Sequence, residues 1–177
     1  MPPATAPTTL IEDRFLKGLL AKSIGHVLES NVGRKSSIAA HLDADSLALA
    51  QNSLGERLYS CFILFDRAYP GTMCLQMPHT LARIVACEYL GYAAFEVDFG
   101  EGRSILDDAV KETTNMVAGT LRNILSKAGL ECSLTPPKLH SSPQVPLINM
   151  RKAVQAVALH LVLPDTFIFA GFYRVTR

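Results

Sequence analysis

The stretch DDAVKETTNMVAGTLRNILSKAGLECSLTPP, Asp107 to Pro137, decides how the rest of the chain is read. Together with the residues just before it, it predicts one amphipathic helix from about Ser104 to Ala128, stopped at Gly129. At about 100° per residue, Ile105, Leu106, Ala109, Val110, Met116, Val117, Leu121, Ile124 and Leu125 form one broad apolar face. Asp108, Glu112, Asn115 and Gly119 follow the i, i+4, i+7, i+11 rule and make a straight stripe away from that face. Asn is a poor helix former, and Gly in a helix interior costs about 1 kcal/mol relative to Ala. A helix selected only for stability avoids both on its outer surface. Gly119 also removes bulk, so another chain can approach the backbone beside Glu112 and Asn115. A Glu and an Asn on a solvated helix face are nonetheless commonplace, so the stripe alone does not separate function from surface.

Working outward, the helix has a counterpart. LAKSIGHVLESN, Leu20 to Asn31, lies without gaps on VAGTLRNILSKA, Val117 to Ala128. Apolar meets apolar at Leu20/Val117, Ala21/Ala118, Ile24/Leu121, Val27/Ile124 and Leu28/Leu125. This first helix is predicted from Leu10 to about Asn31, and each helix is followed by a strand-like piece and a strong pair of strands. In the first half the pieces are SSIAAHL, a weak strand, then RLYSCFILFD and TMCLQM around the turn at Pro70-Gly71. In the second half they are CSLTPPKL and then AVQAVALHLVL and TFIFAGFYRV around Pro164-Asp165. The two prolines place CSLTPPKL at a sheet edge or bulge. Between the halves, PHTLARIVACEYLG predicts a short helix opened by Pro78 and closed by Gly91. DADSLALAQNSLGE and AAFEVDFGEG read as connections and SSPQVPLINM as a loop. The expected fold is α+β: a pseudo-twofold duplication of a helix-strand-strand unit, with long helices on an extended, mostly antiparallel sheet. At the positions equivalent to Glu112 and Asn115 the first half carries Phe15 and Gly18, so only one copy has the polar pair.

Composition bounds the function. The 177 residues are 49% hydrophobic and 19% charged, which suits one globular domain over residues 10–177 behind a loose tail at 1–9. A net charge of +1 gives no footprint for nucleic acid or an anionic membrane, and no apolar run reaches the roughly 18 residues of a membrane span. The start, MPPATAPTT, lacks the basic and apolar regions of a signal peptide. Cys61, Cys74, Cys87 and Cys132 form no C-x-x-C pair and read as buried, reduced thiols of a cytoplasmic protein. His26, His41, His79, His140 and His160 have no metal-ligand spacing, and there is neither a phosphate loop nor a G-x-S-x-G, so no metal or cofactor of its own is expected.

Over a longer span the stripe becomes specific. Asp108-x3-Glu112-x2-Asn115-x21-Pro137, with NMVAG after the pair and LTPP after the helix, resembles the signature of the chemotaxis phosphatases of the CheC, CheX and FliY group. MCLQMPHTLARIVACEYLG resembles the family's strand and following helix more loosely, and a single pair in the second half resembles CheX. The resemblance implies a CheC-like fold and hydrolysis of the aspartyl phosphate of a CheY-type response regulator. It implies that Asn115 positions the attacking water and that Glu112 pairs with the regulator's active-site Lys. Asp108, Gly119 and Pro137 are supporting positions. Mg²⁺ and the phosphorylated Asp then belong to the partner, a CheY-like receiver domain. A homodimer is expected from the CheX-like single pair and from the strong closing strands, whose edges need a partner or cover. The competing reading is a non-catalytic CheC-like docking module, which has no need for the Asn; a small-molecule sensor has no supporting motif.

Overall fold

The computed structural model describes residues 11–53, 55, 57–99, 102–140 and 150–174. The expected tail at 1–9 and all but the last residue of the SSPQVPLINM loop lie outside them. In chain order the elements are α1 (Asp13–Val32), β1 (Ser37–Leu42), α2 (Ala44–Ser53), β2 (Leu58–Arg67), β3 (Gly71–Pro78) and α3 (His79–Ile84). A π-helical turn (Val85–Tyr89) continues α3, and α4 (Ala94–Phe99), α5 (Gly102–Lys127), β4 (Cys132–Leu134), β5 (Lys138–His140), β6 (Gln155–Val162) and β7 (Phe167–Arg174) follow.

All pairings are antiparallel, in the order β1-β6-β7-β3-β2-β4, with β5 also on β2. The expected duplication is visible in this order, because each half lends its first strand to the hairpin of the other. It is visible in register too. The offset that carries Leu20 onto Val117 carries Thr72 onto Phe169 and Gln76 onto Tyr173, and across the central pairing Thr72 meets Tyr173 while Gln76 meets Phe169. An offset one residue shorter carries Ile38 onto Leu134 and Leu42 onto Lys138, which hold equivalent places at the two sheet edges. Even the irregularity is shared. Between Ile38 and Ala40 the β1–β6 register slips, and at the equivalent place Thr135-Pro136-Pro137 interrupts the second edge. Two consecutive prolines cannot donate to a ladder, so what reads as one strand in CSLTPPKL is two, β4 and β5.

One face of the sheet carries the core. Leu16, Leu20 and Ile24 of α1 and Val117, Leu121 and Leu125 of α5 pack against Cys61, Ile63, Leu159 and Leu161. The helices also touch each other, α1 lying over β6 and α5 over β2. On the other face Leu47 of α2 closes a smaller cluster with Phe62, Cys74, Phe169 and Tyr173.

Four expectations need correction. DADSLALAQNSLGE contains a helix, α2, because the second sheet face needs cover and Leu47 supplies it. AAFEVDFGEG contains α4, which buries Val97. Of the four free thiols, only Cys61 and Cys74 are buried; Cys87 and Cys132 are half-buried. Burial raises the Cys61, Cys74 and Cys132 thiols above their ordinary range. Finally, β6 and β7 are paired on both sides, so they have no open edge and cannot support the homodimer argument built on them.

Candidate functional site

α5 carries the stripe, and its apolar residues set which way it faces. Leu106, Ala109, Val110, Val117, Leu121 and Leu125 are buried, which turns the opposite side outward. Thr113 and Thr114, between Glu112 and Asn115, are buried as well. Their hydroxyls donate to the carbonyls of Ala109 and Val110 at 2.8 and 2.7 Å, so two polar side chains enter the core without an unmet hydrogen bond.

Asp108, Glu112, Asn115 and Pro137 line one open cleft of about 390 Å³. The separation in sequence between the helix and Pro137 is thus closed in space by the β4–β5 link. There Thr135 takes over the ladder: its N–H donates to Leu64 O at 3.1 Å, and its hydroxyl oxygen accepts from Leu64 N at 3.1 Å. Gly119 does not line the cleft and lies one turn further along α5. A Cβ there would meet nothing within 4 Å, so nothing among the described residues demands a glycine at that position.

Three further residues line the cleft: Lys111, Leu90 and Tyr92. Lys111 donates to the Asp108 carboxylate at 3.3 Å, an exposed i, i+3 pair of the kind that contributes little stability. Its place was legible, since it precedes Asn115 by one helical turn. Leu90 and Tyr92 come from the segment after the π turn, where Gly91 takes a φ of 79° and ends the helix as its position in the sequence predicts. Arg34 anchors the π turn itself. Its guanidinium pairs with Glu88 through two contacts, the second at 2.8 Å, and reaches Asp165 at 3.4 Å in the β6–β7 turn. π turns recur at functional sites because the extra residue re-aims the chain beyond it.

Glu112 is half-buried and Asn115 exposed. Among the described residues neither side chain has a hydrogen-bond or ion-pair partner. Together they offer a carboxylate and a carboxamide one turn apart, with four acceptor lone pairs on the first and both donors and acceptors on the second. Such a pair can take a cation and orient a water. Among the described residues no group of three or more His, Cys, Asp and Glu is placed to hold a metal ion, and no helix is long and apolar enough to cross a membrane.

Comparison with known proteins bears on this arrangement. The family described as Chemotaxis phosphatase CheX matches residues 59–161, more than half of the chain, and these include the whole stripe and Pro137. No curated protein sequence matches. Among solved structures, the chemotaxis protein CheX from Desulfovibrio desulfuricans superposes with a TM-score of 0.64 at 16% identity, covering 89% of this chain and 97% of that one. CheX in the CheX–CheY–BeF3–Mg²⁺ complex from Borrelia burgdorferi gives 0.64 at 16% identity, covering 90% and 97%. FliY from Thermotoga maritima gives 0.60 at 15% identity, covering 94% and 92%. At these identities the likeness is one of fold.

Proposed function

The chain belongs to the CheX family of chemotaxis phosphatases, and on that footing we propose that it hydrolyses the aspartyl phosphate of a CheY-type response regulator, with Glu112 and Asn115 as its working pair. The observation that carries this reading is the cleft itself: the pair is open to solvent, has no partner among the described residues, and stands together with Asp108 and Pro137. The CheX neighbour in complex with CheY, BeF3 and Mg²⁺ supports a CheY-like partner that brings Mg²⁺ with it.

The chemistry asks little of the chain. An acyl phosphate is already reactive and needs chiefly a water held in line with the leaving oxygen. The water oxygen bonds to phosphorus, the bond from phosphorus to the aspartyl oxygen breaks, and the electron pair leaves with the carboxylate. The carboxamide of Asn115 can accept from and donate to that water without titrating, and the water's proton departs with the phosphate. Glu112 pairs with the regulator's active-site Lys and fixes the approach. Asp108, restraining Lys111, and Pro137, shaping the far side of the cleft, support the pair. The open space at Gly119 lets the partner's backbone come close. Such a reaction belongs in the cytoplasm, where receiver domains are found. A homodimer belongs to the same reading, its support moved to the exposed edge strand β1, where Ile38 is 44% exposed.

The test is to add the purified protein to a panel of phosphorylated receiver domains and follow phosphate release. Acceleration of at least one is expected. Binding without acceleration leaves the docking module, and the intact carboxamide is the feature that argues against it.

A further inference from the structure

α4 is six residues long, too short to hold itself as a helix, yet four contacts fix its orientation. Val97 is buried. The Asp98 carboxylate accepts two bonds from Arg83, Nε to Oδ1 at 2.8 Å and Nη2 to Oδ2 at 2.9 Å, and the guanidinium holds its carboxyl below the usual range. The Glu96 carboxylate caps the first turn, accepting from Ala93 N at 2.8 Å. At the start of α5, Gly102 packs so closely that any Cβ would collide with the Val97 carbonyl.

What this fixed helix presents outward is aromatic. Phe95 and Phe99, one turn apart, are 68% and 89% exposed, and Tyr92 beside them is 36% exposed. A single exposed apolar residue is ordinary, whereas a contiguous set on a pinned support marks an interaction surface. The set is also continuous with the cleft. A second cavity, of about 570 Å³, is lined by Phe95, Phe99, Ile105, Tyr92 and Asp108, and it shares the last two with the cleft that holds Glu112 and Asn115.

We infer that the ridge of Tyr92, Phe95 and Phe99 is the surface on which the CheY-type receiver domain docks while its acyl phosphate reaches Asn115; the inference rests on the function proposed above. Area decides the occupant. A specific interface covers about 800 Å² on each partner, some 20–30 residues, and the few side chains of the stripe cannot supply it. A domain centred on Asn115 must therefore spread over adjoining ground, and the ridge is adjoining apolar ground already held in place. Aromatic anchors are where the energy of such interfaces concentrates.

The test uses Phe95→Ala, Phe99→Ala and the double variant of the full chain. The probe is a CheY-type receiver domain loaded with beryllofluoride and Mg²⁺ for binding, or phosphorylated for turnover. The double variant is expected to weaken binding at least about tenfold and to raise KM in step, with kcat at saturating receiver and the melting temperature unchanged. Leu at both positions should restore part of the affinity. Unchanged binding and KM in the double variant, with a wild type that accelerates hydrolysis, overturns the ridge and leaves the proposed function standing. Binding that needs the ridge, in a wild type that never accelerates hydrolysis, keeps the ridge and removes the phosphatase. A wild type that binds no receiver removes both. A change in sedimentation of the variant on its own would assign the ridge to a second copy of this chain and overturn the inference.

Discussion

Laid on α5, α1 places Leu20 on Val117, Ile24 on Leu121 and Leu28 on Leu125, every one of them buried. It also places the hydroxyl of Ser23, bonded to Leu19 O at 2.8 Å, on that of Thr120, bonded to Met116 O at 2.9 Å. On the outer side the two helices part company. Phe15, 68% exposed, stands where α5 has Glu112, and Gly18 stands where it has Asn115. The inner faces are held alike by one shared core. The outer faces carry none of the shared core, so chemistry can be present on one and missing from the other without cost to the fold. The sheet edges repeat the contrast. The slip in β1 and the Thr135-Pro136-Pro137 break are the same irregularity, but only the second places a proline in a cleft.

The largest effects should fall on the shared face. Ile24→Ala and Leu121→Ala each remove a fully buried side chain, and each should cost about 2–5 kcal/mol in urea unfolding. A loss below about 1 kcal/mol in either half would undo the equivalence of the two helices. Next comes the outer face. Glu112→Ala should weaken receiver binding by about 1.5–3 kcal/mol, the scale of a hydrogen bond to a charged group, whereas Phe15→Ala at the matching place should leave it unchanged. Equal effects in a titration would erase the asymmetry. The smallest effects belong to the two open glycines. Neither Gly18 nor Gly119 has an atom within 4 Å of an added Cβ. Gly18→Ala and Gly119→Ala should therefore each raise stability by up to about 1 kcal/mol. Only Gly119→Ala should also lower affinity for the receiver, because only there does the proposed docking bring a partner's backbone close.

The long helices were legible because their apolar residues repeat at 3.6, as in Leu16 to Leu28, and the hairpins because apolar, aromatic-rich runs such as Cys61 to Phe65 flank turn residues. α2 was not, because it buries only Leu47, against a sheet face whose need for cover appears only once the strands are assembled. α4 was not, because six residues are too few to show a helical repeat and the helix is held by Arg83, elsewhere in the chain. In the site, helical spacing puts Asp108, Glu112 and Asn115 on one stripe, and it is the longer spacing out to Pro137, resembling the CheC, CheX and FliY signature, that singles them out. Leu90 and Tyr92 could not, since only the tertiary fold brings the segment after the π turn beside α5. Thr113 and Thr114 stand one turn from Ala109 and Val110 on the buried side, and their hydroxyls are satisfied by those residues' carbonyls.

The phosphatase reading turns on one exposed carboxamide on α5 that orients the water, and Asn115→Ala removes that group alone. With a phosphorylated receiver the protein accepts, single-turnover phosphate release should slow by about 10²–10³-fold, the scale for losing one preorganised polar group. Affinity for the beryllofluoride form should hold, and melting should stay level or rise, since Ala is the better helix former. An Asn115→Ala protein that dephosphorylates the receiver at the wild-type rate would leave the carboxamide without a role and overturn the mechanism.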